Sequence, residues 1–201
     1  PSYAAAFDEA EIARHAALAE RLGDGNLAEV EAVPIDGGAW RVTVVAYDYP
    51  GELSAICGLL FVYGFSIHKG HAFTYEPAAL PGARPPSARR RQRRRAANGS
   101  ARRKIVDVFE VHQVFGQASG DLWARYAADL SALLQRLEAG RQREAQGELA
   151  KRAAAALRQQ AGPGTLLYPV DIEVDNQVSD RYTVLRIDAP DTIGFLYEFT
   201  S

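Results

Sequence analysis

Two short segments of the sequence share a turn that could bind a small charged molecule. Residues 48–53 (DYPGEL) follow an apolar stretch, and residues 191–196 (DTIGFL) repeat the pattern Asp-x-x-Gly-x-Leu after a second such stretch. A glycine after a strand lets the chain turn tightly into a helix and lets a ligand approach the backbone. The first N–H groups of that helix lack internal partners and attract a carboxylate. The aspartate can hold an ammonium group, so the turn suits both ends of an amino acid.

A plainer interpretation is that Asp48 and Asp191 only cap the helices that follow them. For an isolated Asp-x-x-Gly this is the commoner outcome. Here a whole strand–turn–helix unit recurs at matched positions, which favours two copies of one ligand-binding module. The candidate ligand-binding residues are therefore Asp48, Gly51, Glu52, Leu53, Asp191, Gly194, Phe195 and Leu196.

Other reactive side chains lack the neighbouring residues that catalysis or metal binding requires. His68 and His71 lie three apart on a predicted strand, so they should point to opposite faces and not share an ion. His112 is interpreted as a strand residue facing its neighbour. Cys57 falls on the apolar face of a predicted helix as an inert thiol, and Ser54 has no His-Asp pair near it in the sequence. We therefore predict no catalytic residue and no metal site or cofactor in this segment.

The elements that would position the turn follow from periodicity. A capping box at Asp8 and Glu11 predicts a helix over 8–22. From Trp40 the apolar spacing predicts the order β-α-β-β-α-β, and Gly64 is expected to close the first of these helices in a left-handed conformation. The order is the ferredoxin-like one, an α+β fold with an antiparallel sheet and two helices on one face. The predicted elements are strands at 40–47, 65–75, 105–115 and 170–176 and helices at 52–64, 121–137 and 147–160.

The chain divides into three predicted parts. Residues 1–37 are a helix and linker, 38–176 a first domain, and 177–201 the truncated start of a second copy. The first domain carries a helical insertion at about 139–165 and an arginine-rich insertion at about 77–103. The latter is expected to be disordered, because four prolines and a run of like charges prevent compaction.

Composition limits the class of protein. The formal net charge is −2, yet residues 84–104 hold ten of the 23 lysines and arginines and no acid. Such a tract could bind nucleic acid by charge, but it has no aromatic residue to stack on bases, so nucleic acid is an unlikely partner. One cysteine excludes an internal disulfide framework and favours a reducing, cytoplasmic setting. No apolar run is long enough for a membrane span.

Residues 47–56 (YDYPGELSAI) resemble the Asp-x-Pro-Gly-x-Leu signature of ACT domains, and residues 65–67 and 106–109 fit the same family. Residues 175–185 and 191–197 are similar to the junction between the two ACT domains of bifunctional PII-protein uridylyltransferases, and residues 11–15 to the helix before that pair. Two features depart from the pattern: Thr192-Ile193 replaces a charged residue and proline, and the arginine-rich insertion is not a family feature.

The resemblance implies a non-catalytic region that senses an amino acid for an enzyme of nitrogen regulation, and glutamine is the amino acid expected from it. It also implies pairing between ACT domains and contact with a PII-type signalling protein through the parent enzyme. Any Mg²⁺ would belong to catalytic domains absent from this segment. Three alternatives stay open: a stand-alone ACT regulator acting through protein contacts, the ACT region of another allosteric enzyme, and a nucleic-acid-binding module using residues 84–104.

Overall fold

The computed structural model describes residues 3–75, 102–116, 120–160, 171–175 and 184–188. These residues form an α+β structure with five helices and a four-stranded antiparallel sheet, compatible with a ferredoxin-like fold. The elements are α1 Tyr3–Ala6, α2 Glu9–Glu20, β1 Ala28–Ile35, a 3₁₀ turn Asp36–Gly38, β2 Ala39–Tyr47, α3 Glu52–Val62, β3 Phe65–Tyr75, β4 Lys104–Gln113, α4 Leu122–Glu138, α5 Gln142–Gln160, β5 Asp171–Asp175 and β6 Val184–Asp188.

Helix α2 begins where the capping pattern predicts. The backbone N–H of Glu11 donates to Asp8 Oδ1 at 2.8 Å, and the Glu11 carboxylate accepts from the Asp8 N–H at 3.1 Å. Two N–H groups that the helix itself cannot satisfy are thereby paired. The predicted first helix is confirmed, with an end at Glu20 rather than residue 22.

The sheet has the order β1-β2-β4-β3, and its outer strand β1 was not predicted. Its sequence, AEVEAVPI, alternates small apolar residues with glutamates and contains Pro34, which resembles a linker. Paired with β2, the same residues place Val30 and Ala32 against the core. A proline is tolerated there because β1 lies at the sheet edge.

The prediction that residues 170–176 supply the fourth strand of this sheet is wrong. Strand β5 pairs antiparallel with β6 in a separate two-stranded sheet, and β1 occupies the place beside β2. From Ala39 the order β-α-β-β-α is as predicted, but the strand that completes the sheet comes before this unit in the chain. Alternation alone identified β5 as a strand and could not identify its partner.

One face of the sheet is covered by α3 and α4. Helix α4 matches the helix predicted at 121–137, and six residues at helical spacing on one of its faces are buried: Leu122, Tyr126, Leu130, Leu133, Leu134 and Leu137. The Tyr126 hydroxyl donates to the Ile56 carbonyl of α3 at 3.1 Å, which satisfies the one polar atom of these six side chains. Helix α5 then packs on α3 and α4, beginning at Gln142, earlier than the predicted residue 147.

The two helices predicted to share one face, α3 and α4, do so, and the opposite face of the sheet carries α1 and α2. Phe7 meets Phe73 of β3 edge-on with ring centroids 5.7 Å apart, and Tyr3 Oη lies 2.7 Å from His15 Nδ1. Lys104 Nζ donates to the Ala19 carbonyl at the end of α2. The sheet is therefore buried on both sides. No helix among the described residues has the length and apolarity needed to cross a membrane.

Gly64 closes α3 as the sequence predicts, with φ +89°. A Cβ at this position would lie 2.1 Å from the Phe115 carbonyl oxygen, whereas a Cβ at Gly37, with φ +76°, meets nothing within 4 Å. Both positions disfavour a side chain through their backbone conformation, but only Gly64 also has a steric block.

We expect Gly64→Ala to lower the free energy of unfolding by at least about 2 kcal/mol more than Gly37→Ala does. Urea unfolding of both variants and the parent chain measures this. Equal losses for the two variants would show that the approach of Phe115 to Gly64 is not a constraint on the fold.

Candidate functional site

The candidate site is the turn between β2 and α3, where the predicted strand–turn–helix order is confirmed. Gly51 is the N-cap residue of α3 and has φ +93°, a left-handed conformation that suits glycine. Gly51 has no side chain that could cap the helix, so the first N–H groups of α3 need hydrogen-bond acceptors from other residues. Helix α3 is buried from Ser54 to Phe61, which fixes the turn against the sheet.

Asp48 is engaged by an arginine that the sequence analysis did not identify as a site residue. Its Oδ2 lies 2.9 Å from Arg103 Nε, and its backbone N–H donates to the Arg103 carbonyl at 3.0 Å. Arg103 directly precedes β4, and β4 pairs with β2, so strand pairing brings it beside Asp48. The capping role considered for Asp48 is thus replaced by an ion pair across the end of the sheet.

Glu52 turns its carboxylate back onto the start of its own helix. Burial, and next the neighbouring Asp48 charge, raise the pKa of Glu52 to about 7. The backbone N–H groups of Glu52 and Leu53, and the charge of Arg103, oppose this rise. The Glu52 carboxylate therefore lies against the amides that the sequence analysis assigned to a ligand carboxylate, and the Glu52 N–H also donates to the Tyr49 carbonyl at 3.0 Å. Leu53 itself is half-buried and packs against the core.

Asp107 is a buried carboxyl group beneath the site that the sequence analysis treated only as a strand residue. It is 1% exposed in the middle of β4, opposite Val44 and Ala72, on the face covered by α3. Its Oδ2 has no hydrogen-bond partner among the described residues. Burial, and next the charge of Glu52, raise the pKa of Asp107 to about 8, and a hydrogen bond from the Phe73 backbone opposes the rise.

A second arginine completes the charge pattern around the turn. Arg102 Nη1 lies 2.5 Å from Glu138 Oε1 and 3.3 Å from the Tyr49 hydroxyl, and Arg102 Nη2 lies 3.3 Å from Asp24 Oδ1. Its guanidinium also sits over the Tyr47 ring, 5.1 Å from the centroid. The turn is therefore surrounded by carboxylates and guanidinium groups that pair with one another.

Side chains of the same chain approach one side of Gly51, which is partly exposed. The position that a Cβ would take lies 3.5 Å from Gln142 Nε2 and 4.0 Å from Leu137 Cδ2. A ligand that approaches Gly51 from this side would contact Gln142, the first residue of α5. The second predicted set, Asp191, Gly194, Phe195 and Leu196, lies outside the described residues.

Cys57 and Ser54 have the structural positions that the sequence predicts. Cys57 is buried, and burial raises the pKa of its thiol to about 12, so it stays protonated. Ser54 is buried in α3. Among the described residues, no group of three or more histidine, cysteine or acidic side chains is placed to hold a metal ion.

Comparisons with known proteins identify no relative: no family model, no curated protein and no solved structure matches the chain.

The carboxyl groups of Asp107 and Glu52 make stability depend on pH. Both pKa values are raised on folding, so the folded state binds more protons than the unfolded state between about pH 4 and pH 8. The contribution of these groups to stability is therefore complete at low pH and is lost as pH rises to about 7 to 8. We expect the free energy of unfolding to fall by on the order of 2–4 kcal/mol between pH 5 and pH 9, less than the roughly 7 kcal/mol that the full shifts would give over this range, because Glu52 is partly exposed and the two groups interact.

Asp107→Asn should remove most of this fall, because the amide has a similar shape and cannot ionise. Urea unfolding across this pH range measures the effect, with Asp24→Asn, at an exposed carboxylate, as the matched control. A slope in Asp107→Asn equal to that of the parent chain would refute the role of Asp107.

Proposed function

We propose that this chain is the amino-acid-sensing regulatory region of an enzyme resembling the PII uridylyltransferases, with glutamine as its ligand and no catalysis of its own. The observation that supports this best is the charge arrangement at residues 48–53. Asp48 and Glu52 lie at the start of α3 with Arg103 beside them, so groups that suit both ends of a zwitterion converge on one turn.

The site is satisfied internally, and a free amino acid could replace those internal contacts one for one. Its carboxylate would take the helix N–H groups from Glu52 and lie near Arg103. Its ammonium group would then meet Asp48 and the released Glu52. Because each lost contact is replaced by an equivalent one, binding need not leave a charged group without a partner.

The Gln142 side chain beside Gly51 gives binding a route to the rest of the chain. Displacing Gln142 would move the start of α5, which is tied to α3 and α4 by Arg152, Asp129 and Tyr63. The Tyr63 hydroxyl donates to Asp129 Oδ2 at 2.8 Å, and Arg152 pairs with the same oxygen. Ligand binding would thus shift α5. The ligand would then make different contacts in the two positions of α5, which is what allostery requires.

In the parent enzyme, this shift would regulate catalytic domains that hold Mg²⁺ and act on a PII-type protein in the cytoplasm. The second Asp-x-x-Gly-x-Leu segment would supply the partner ACT domain. These features come from the sequence resemblance, and the site geometry is consistent with the ligand class alone.

Isothermal titration of the full natural protein with each of the twenty amino acids tests the proposal. We expect glutamine to bind and, at about 100 times its dissociation constant, to stabilise the folded protein by roughly 2.7 kcal/mol. The absence of both heat and a thermal shift with every amino acid would reject amino-acid sensing and favour a regulator that acts through protein contacts.

A variant series assigns that binding to the turn. Asp48→Asn should weaken glutamine binding by at least about tenfold, since it removes a charge-assisted contact. Glu144→Gln, an exposed change in α5, is the control and should bind as the parent does. Gly51→Val is a poorer test because the positive φ of Gly51 makes any side chain destabilising. Unchanged affinity in Asp48→Asn would place the ligand elsewhere.

A further inference from the structure

Two exposed histidines meet on the sheet, away from the turn that starts α3. The rings of His68 on β3 and His112 on β4 have centroids 5.8 Å apart and are inclined by 80°. Both residues are exposed, so their side chains can rotate without loss of core packing. They approach each other from neighbouring strands at the end of the sheet where β3 begins.

An irregularity in strand pairing brings these two rings together. Ser66 is opposite His112 and Ile67 is opposite Val111, but the next partner of β4, Glu110, is opposite Lys69. His68 is therefore an extra residue in β3, and such bulges redirect side chains.

The same shift alters the face on which a third histidine lies. After the bulge, His71 pairs with Val108 and shares a face with His68 and His112, so the assumption that residues three apart point to opposite faces fails here. His71 is nevertheless engaged elsewhere, since its ring meets Phe7 at 5.8 Å and Phe73 at 6.3 Å between centroids.

From this geometry we infer that His68 and His112 form a two-imidazole binding site for a divalent transition-metal ion such as Zn²⁺ or Cu²⁺. Imidazole nitrogens bind these ions in preference to Mg²⁺ or Ca²⁺, which favour oxygen ligands. Metal–nitrogen bonds of about 2.0–2.1 Å on both rings separate the centroids by roughly 5 to 6 Å, which agrees with the observed spacing. Water or another small ligand would fill the remaining coordination positions.

The surrounding charges are compatible with a cation at this position. Lys69 Nζ and Arg41 Nη2 both face Glu110, at 3.9 and 3.6 Å from its Oε1. The carboxylate of Glu110 therefore partly neutralises the cations nearest the site, which reduces their repulsion of a bound ion. The inference does not depend on the proposed amino-acid site, because it uses different residues.

Titration of the tag-free full chain with Zn²⁺ and with Cu²⁺ tests this site directly. Each ion should bind with one equivalent per chain, and Cu²⁺ more tightly than Zn²⁺, while Mg²⁺ at the same concentration should not bind there. His68→Ala and His112→Ala should each weaken Cu²⁺ binding by more than about tenfold, since changes outside the coordination sphere alone cost ten- to hundredfold.

The chain contains four histidines, so His71→Ala is a matched control that should retain binding. Circular dichroism of each variant establishes that the fold is kept. Equal Cu²⁺ affinity in the parent chain and in the His68→Ala, His112→Ala double variant would overturn the inference. So would loss of binding in His71→Ala with the fold retained, because it would assign the ion to a different set of ligands.

Discussion

The central part of helix α3 is buried, and the sheet and the neighbouring helices pack around it. Every residue from 54 to 61 is buried, between the sheet on one side and α4 and α5 on the others. A helix without a solvated face cannot rotate or slide without opening cavities, and cavities of this kind cost about 2–5 kcal/mol for a large side chain. The turn at 48–51 is consequently held in one geometry by the helix that follows it.

That rigidity explains why charged groups can be kept at the start of α3. The Glu52 carboxylate lies against the first N–H groups of the helix, and Asp48 pairs with Arg103. Asp107 lies below them, and its Oδ2 has no hydrogen-bond partner in the part of the chain that the structure describes. A buried carboxylate without a partner is destabilising, so Asp107 is most stable in its protonated form near neutral pH. The charges of the site are already balanced. The proposed ligand would therefore replace existing contacts rather than fill an empty site.

Local patterns in the sequence were sufficient to predict most helices and strands, but not which strands pair with one another. The start of α2 at the capping box and the helix at 121–137 were predicted because each signal lies within one helix. Strand β1 was not predicted, because its small apolar residues alternate with Glu29 and Glu31. The pairing of β5 with β6 depends on contacts far apart in the chain, and periodicity does not report such contacts.

The candidate site shows the same division. The glycine turn and Glu52 were predicted from a six-residue motif, whereas Arg102 and Arg103 were assigned to the arginine-rich insertion and Gln142 to the helical insertion. These residues reach the turn only through strand pairing and helix packing. His68 illustrates the point further: a one-residue bulge changed the face that a regular strand would have given it.

The central claim is that residues 48–53 receive an amino acid at the start of α3. Hydrogen–deuterium exchange of the full natural protein, with and without saturating glutamine, tests it most directly because it locates the effect in the chain. The account predicts slower exchange at the amides of residues 51–55 and changed exchange at the start of α5 near Gln142. Exchange that is unaltered in both segments while glutamine is bound would contradict it.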